Sequence, residues 1–302
     1  MNSVKQIVLW GHKLHSHTHS YIHNGFYIAF QHLGYKTLWL DNKDDISQIN
    51  FSNSLFITEG QVDKNIPILE NCYYVLHNCA MEKYSNLPEK NYIILQVYTN
   101  DVVNKHKAEP INPSRYTYYK EKTLYMPWAT DLLPEEIDKN IEKVKKEELK
   151  IENIISFVGS LTTPWLHVRN FCNNNNINFI YYGGNSNNLS LEDNIRLTQI
   201  SILAPAFQDD WQTNNGYIPC RIFKNISYGK MGITNNPTVY ELYNREIIFD
   251  NNINNALVKG FEFEKIEKNE KIKKIIDLME ITKKNHTYLN RIEEILKFLQ
   301  IS

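Results

Sequence analysis

The sequence predicts an α/β chain built from two Rossmann-like domains. Three observations predict it: short apolar runs alternate with helical or turn segments, the alternation breaks at a highly charged stretch, and it then restarts. That order of elements is the pattern of a mainly parallel sheet with crossovers. A chain of 302 residues also suits two α/β units of roughly 130 to 150 residues each.

In the first half the expected strands are 6–10, 37–40, 54–58, 73–76, 92–97 and 124–126. Several are continuous apolar runs, as a strand covered on both faces requires. Between the first two, Phe26, Ile28, Ala29, Phe30 and Leu33 give 21–33 a helical face, and Gly34 ends it. Residues 133–150 are rich in charge, poor in aromatics and opened by Pro134, and read as an exposed helix or linker. After it the expected strands are 154–158, 178–182, 200–204, 231–234 and 246–249, with helices at 165–173, 191–198, 221–227 and 237–243. From Phe261 onward Ile and Leu alternate with Lys and Glu at helical spacing, which predicts two amphipathic helices. The expected organisation is therefore an N-terminal domain 1–130, a C-terminal domain 131–280 and a helix 281–302 that returns to the first domain.

Composition narrows the function. With 42% hydrophobic and 22% charged residues the chain is an ordinary globular protein, which excludes disordered and fibrous classes. The 33 Lys and Arg face 34 Asp and Glu, so no nucleic-acid partner is expected. Cys72, Cys79, Cys172 and Cys220 form no CxxC pair and are expected as free thiols. No signal-peptide core and no apolar stretch of about 18 residues is found, so the expected location is cytoplasmic, with no transmembrane segment. Lys271, Lys273, Lys274, Lys283 and Lys284 form either a solvated helix face or a peripheral membrane contact.

Four ordered segments carry a family resemblance: TLYMPWATD (123–131), IISFVGSLTTPWLHVR (154–169), INFIYYGG (177–184) and CRIFKNISYGKMGIT (220–234). Together they resemble GT-B glycosyltransferases, particularly those with a CgeB-like or exostosin-like C-terminal donor domain. The resemblance implies a GT-B fold, two Rossmann-like domains facing across a cleft. It also implies transfer of a sugar from a nucleotide-diphosphate donor to a glycan or other hydroxyl acceptor in glycan biosynthesis. The donor is expected to be a UDP- or GDP-sugar, with no cofactor and no metal. Many retaining members carry Glu where this chain has Lys224, which leaves the stereochemistry open.

Glycosyl transfer releases a diphosphate, so the site needs cations or oriented N–H dipoles for the leaving group. Arg221 and Lys224 are three apart at the start of an expected helix and share a face, with Asn225 beside them. The turn after the strand at 154–158 offers Gly159 for close backbone approach and Ser160 and Thr162 as hydroxyl donors, at a strand end where α/β sheets hold ligands. An alternative is that this turn merely opens the next helix. Tyr182 and Gly183 are candidates to border the nucleotide, and 207–211 either touches the sugar or is a solvated loop.

The acceptor must lose a proton, and the first half offers groups for this. Five of the ten histidines, His12, His15, His17, His19 and His23, follow the first strand. His17, His19 and Glu59 are the candidate catalytic residues, with His77 at a neighbouring strand end. A rival reading takes the HxHxH segment as the opening motif of PHP-like metal-dependent phosphoesterases, which it resembles. Further HxH or DxH ligands for that chemistry are absent. A third reading is a non-catalytic sugar-nucleotide or glycan-binding module.

Overall fold

The computed structural model describes residues 4–14, 19–159, 162–183 and 189–301. It divides into two units, Met1–Asp131 with Tyr288–Ser302, and Leu132–Thr287.

The first unit is an eight-stranded sheet. In chain order it contains β1 (Gln6–Trp10), α1 (Ser20–His32), β2 (Thr37–Leu40), β3 (Ser54–Glu59), β4 (Tyr73–His77), β5 (Tyr92–Gln96), β6 (Glu109–Asn112), β7 (Thr117–Lys120) and β8 (Thr123–Tyr125). The spatial order is β2-β1-β3-β4-β5-β8-β7-β6, parallel as far as β8 and antiparallel beyond. The sequence reading did not anticipate the β6–β7 hairpin. Its strands are half-exposed, β6 at the very edge, with none of the apolar run that marks a central strand.

Only one face of this sheet follows the helical crossover pattern. There α1 buries Ile22, Phe26, Ala29 and Phe30, at helical spacing, toward β1 and β2. On the other face no α-helix joins β3 to β4 or β4 to β5. Loop residues Phe51, Ile66, Tyr84 and Leu87 instead pack on Val8, Trp10, Phe56 and Tyr74. Pro67 and Pro88 lie in those connections and oppose regular helix.

In the second unit the elements are α2 (Pro134–Lys145), β9 (Glu152–Val158), α3 (Thr163–Asn174), β10 (Asn178–Tyr182), α4 (Leu191–Ile200), β11 (Ser201–Leu203), α5 (Asp210–Asn214), α6 (Cys220–Ser227), β12 (Ile233–Thr234), α7 (Pro237–Leu242), β13 (Ile248–Phe249), α8 (Ile253–Glu264) and α9 (Lys268–Asn285). The sheet β10-β9-β11 is parallel, as is the pair β12-β13. The Ala206 N–H donates to Ile233 O at 2.8 Å and joins the two. The core between sheet and helices holds Ile155, Phe157, Trp165, Val168, Leu203, Ile233 and Leu257.

Of the two readings of the charged stretch 133–150, the helix is the one observed, but it is not exposed all round: α2 buries Ile137, Ile141 and Val144 and packs on α9, with only its other face charged. The two helices expected from Phe261 onward are those at Lys268–Asn285 and Tyr288–Leu299; not anticipated was α8, which starts ahead of them at Ile253, capped by the Asn252 side chain.

The last helix, α10 (Tyr288–Leu299), belongs to the first unit. Gly25 of α1 lets the Tyr288 ring lie where a Cβ would come within 2.2 Å of it. The fully buried Arg291 donates to Pro127 O at 2.8 Å and Trp128 O at 3.1 Å. The Tyr119 and Phe298 rings stack at 4.1 Å.

Candidate active site

In each unit the chemistry-bearing residues gather where parallel strands end. In the first unit β1 feeds β2 on one side while β3 pairs on the other, so the C-terminal ends of β1 and β3 form a topological switch point, the usual ligand crevice of an open α/β sheet. Glu59 is the last residue of β3, and His12 follows β1 by two positions. Gly11 and His12 both take the left-handed conformation, φ +87° and +47°, which turns the chain at the strand end. The His12 Nε2–H then donates to Glu59 Oε2 at 2.9 Å, both side chains being almost fully buried. The Gln61 N–H donates to the same oxygen at 3.0 Å.

Three further imidazoles complete the cluster. His19 stands at the N-cap of α1, His23 one turn later, and His77 ends β4. The His19 ring lies 5.4 Å from His12, 5.6 Å from His77 and 6.2 Å from Trp128. Ile22, Phe26, Ile57, Val75 and Leu95 line the same pocket. His23 Nδ1 bonds Gly11 O at 2.9 Å; burial, aided by the neighbouring imidazoles, nevertheless pushes its pKa down to about 3. Burial also lowers His77, although its bond to Leu95 O and the nearby Glu59 oppose this. Both are therefore neutral at neutral pH.

Among the expected catalytic residues the structure brings His19 and Glu59 together, and His17 lies outside the described residues. His12 and Trp128 were not singled out as site residues. The sequence signal for His12 was its place just after a strand end and a glycine.

In the second unit the corresponding place is the end of β9, between β10 and β11. Gly159 has φ +146°, and its N–H donates to Tyr182 O at 2.9 Å. Gly183 abuts it so closely that a Cβ there would fall 2.1 Å from Gly159 O. Both positions therefore need glycine.

Arg221, in the first turn of α6, donates from Nη2 to Val158 O at 2.9 Å. Its guanidinium carbon lies 4.2 Å from the centre of the Phe157 ring and 5.0 Å from that of Trp165, and those rings stack on each other at 3.7 Å. Burial lowers the guanidinium to about 10, which still leaves a cation at neutral pH. Lys224 follows one turn along α6, half-buried. The Asn225 side chain is committed to Ala204 O at 2.8 Å, so it anchors α6 to the end of β11. Thr162 is the N-cap of α3 without using its hydroxyl as a cap, and Ser160 lies outside the described residues. In the 207–211 segment, Phe207 and Gln208 are buried while Trp211 is exposed.

Helix ends distinguish this place from the rest of the unit. The first turns of α4, α5, α7, α8 and α9 are capped by the side chains of Ser190, Asp209, Asn236, Asn252 and Glu267, and α2 carries Glu135 and Glu136 in its first turn. Among the described helices of this second unit only α3 and α6 have neither a side-chain cap nor an acidic first turn. They are the two helices that begin beside Gly159: α3 follows it in the chain, and Arg221 ties α6 to Val158. With no side chain of the N-cap residue taking their first N–H groups, these helix ends present dipoles that suit an anion.

No model of a known protein family matches the sequence, and no curated protein matches it. Solved structures do. An alpha-glucosyltransferase in complex with UDP is similar at a TM-score of 0.63 with 10% identity, over 97% of this chain and 99% of that one. An alpha-glucosyltransferase in complex with UDP and a 13-mer DNA containing a HMU base is similar at 0.60 with 11% identity, over 98% and 99%. At such identities the likeness is one of fold: this chain has the GT-B fold, with two Rossmann-like domains. Among the described residues no helix is long and apolar enough to cross a membrane.

Proposed function

We propose that the chain is a glycosyltransferase that moves a sugar from a nucleotide-diphosphate donor, a UDP- or GDP-sugar, to a hydroxyl of a glycan or glycoconjugate. The observation that carries this reading is the pair of uncapped helix N-termini, with Arg221 between them, around Gly159. A leaving diphosphate is stabilised by preorganised donors and a fixed cation in a water-poor place. Arg221 is already oriented by one hydrogen bond and two rings, so little reorganisation accompanies the reaction. Lys224 adds a movable charge. With these groups on the diphosphate, transfer needs no metal there.

In the first unit Glu59 is the base for the acceptor hydroxyl. Its Oε2 is saturated by His12 and Gln61, and Oε1 takes the proton as the hydroxyl oxygen attacks the anomeric carbon and the bond to the diphosphate breaks. His19 orients the acceptor. The order of motifs around Arg221 supports a CgeB-like or exostosin-like donor domain and with it a role in glycan biosynthesis. The UDP and DNA in the similar structures belong to those proteins. For this chain UDP is the first donor nucleotide to test, and the net charge of -1 favours a glycan acceptor over DNA.

The test is a thermal-shift screen of UDP, GDP, UMP, uridine and UDP- and GDP-hexoses, followed by assay of donor hydrolysis. Selective stabilisation by one nucleoside diphosphate, with slow release of that diphosphate from its sugar conjugate, is the expected result. No stabilisation by any diphosphate would remove the transferase reading.

A further inference from the structure

We propose that His12, His19 and Glu59 form a binding site for one divalent transition-metal ion of the zinc class, a site separate from the donor diphosphate. His12 and His19 each offer a ring nitrogen and Glu59 a carboxylate oxygen, and these three atoms lie within 4.8 Å of one another. Zinc held at about 2.0–2.2 Å from each ligand needs ligand atoms no more than about 4 Å apart, so the cluster closes by a small side-chain movement. Two nitrogens and one oxygen suit zinc, cobalt, nickel or iron, whereas magnesium and calcium prefer all-oxygen shells.

The support around the ligands is that of a built site. The turn carrying His12 is pinned because Gly11 O bonds both His23 Nδ1 and the Trp39 Nε1–H, each at 2.9 Å. Glu59 is held by the Gln61 N–H. Such supports orient a ligand set and are part of its affinity. His77 is not a ligand, because its two ring nitrogens are engaged with Leu95 O and the Asn78 side chain. On ion entry the His12 Nε2 proton leaves to Nδ1 or to solvent, and its lone pair and that of Glu59 Oε2 turn to the metal. Water completes the shell. This donor set differs from an HxHxH motif, since it draws on β1, α1 and β3.

The test uses the full chain, stripped with EDTA and dialysed. Cobalt is titrated by its visible absorption and zinc by calorimetry, against wild type, Glu59→Gln, His12→Asn and the paired control His15→Ala/His17→Ala. The expected result is one saturable ion per chain in wild type and control, weakened at least about tenfold in Glu59→Gln and His12→Asn. Glu59→Gln is isosteric, and circular dichroism checks its fold. Absence of saturable binding, affinity unchanged in Glu59→Gln and His12→Asn, or loss confined to the control would overturn the site. No nucleotide sugar enters the measurement, so its outcome and that of the transferase reading are distinguishable. On that reading the ion occupies the proposed base, and zinc inhibits transfer.

Discussion

Replacing Arg221 by alanine removes a cation, a hydrogen bond and two ring contacts at once, and the structure separates their effects. The bond to Val158 O contributes about 1 kcal/mol to folding. The contacts with Phe157 and Trp165 add roughly 0.5–2 kcal/mol. The variant should therefore lose about 1.5–3 kcal/mol of stability and still fold. A charge-assisted hydrogen bond to phosphate contributes about 1.5–3 kcal/mol, which is roughly a 10- to 150-fold weaker Kd for the diphosphate. Transfer should slow by about 2–4 kcal/mol of barrier, because charge grows on the leaving oxygen. Lys224→Ala should act in the same direction and more mildly, since water replaces a flexible ammonium more easily. Calorimetric titration of UDP, GDP, uridine and guanosine into wild type and both variants makes the distinction. The nucleosides should bind equally to all three. A folded Arg221→Ala protein that holds the diphosphate within about twofold of wild type would refute the donor-site argument.

Gly183→Ala drives a Cβ to 2.1 Å from Gly159 O, so the ends of β9 and β10 must part; a loss of about 1–3 kcal/mol is expected in chemical denaturation, with weaker diphosphate binding. Metal-free protein should lose stability as pH falls. His23 has its folded pKa lowered to about 3 from 6.5, so the unfolded chain binds the extra proton between those values. The His23 contribution is complete above pH 6.5 and declines by about 1.4 kcal/mol per unit below it. His77 acts in the same direction, and His23→Gln should flatten the measured slope. EDTA should not slow sugar transfer, since the diphosphate is assigned to Arg221, Lys224 and two helix ends; loss of turnover on chelation, restored by metal, would contradict that assignment.

Much of the fold was legible in the sequence because buried parallel strands are nearly continuous apolar runs. β1, β2 and β10 fall on their expected residues, and β3, β4 and β9 differ only at their ends. What failed were elements whose signal is weak or two-sided. The β6–β7 hairpin is half-exposed at the side of the sheet, and α2 hides three apolar residues among eight charged or polar ones. The loop-covered sheet face could not be told from a helix-covered one, because burial alone makes both apolar.

Site residues divide in the same way. Residue types at strand ends, Gly159, Gly183, Glu59 and His77, can be read from the chain, because strand ends and glycine turns are local features. The partners cannot. That Arg221 reaches Val158 across 63 positions, that His12 meets Glu59 across 47, and that Arg291 braces the backbone of Trp128 across 163 are consequences of packing. Sequence determined which chemical groups stand at the ends of strands and helices. Only the tertiary structure decided which ends meet, since non-local pairing depends on how whole sheets and helices bury their faces.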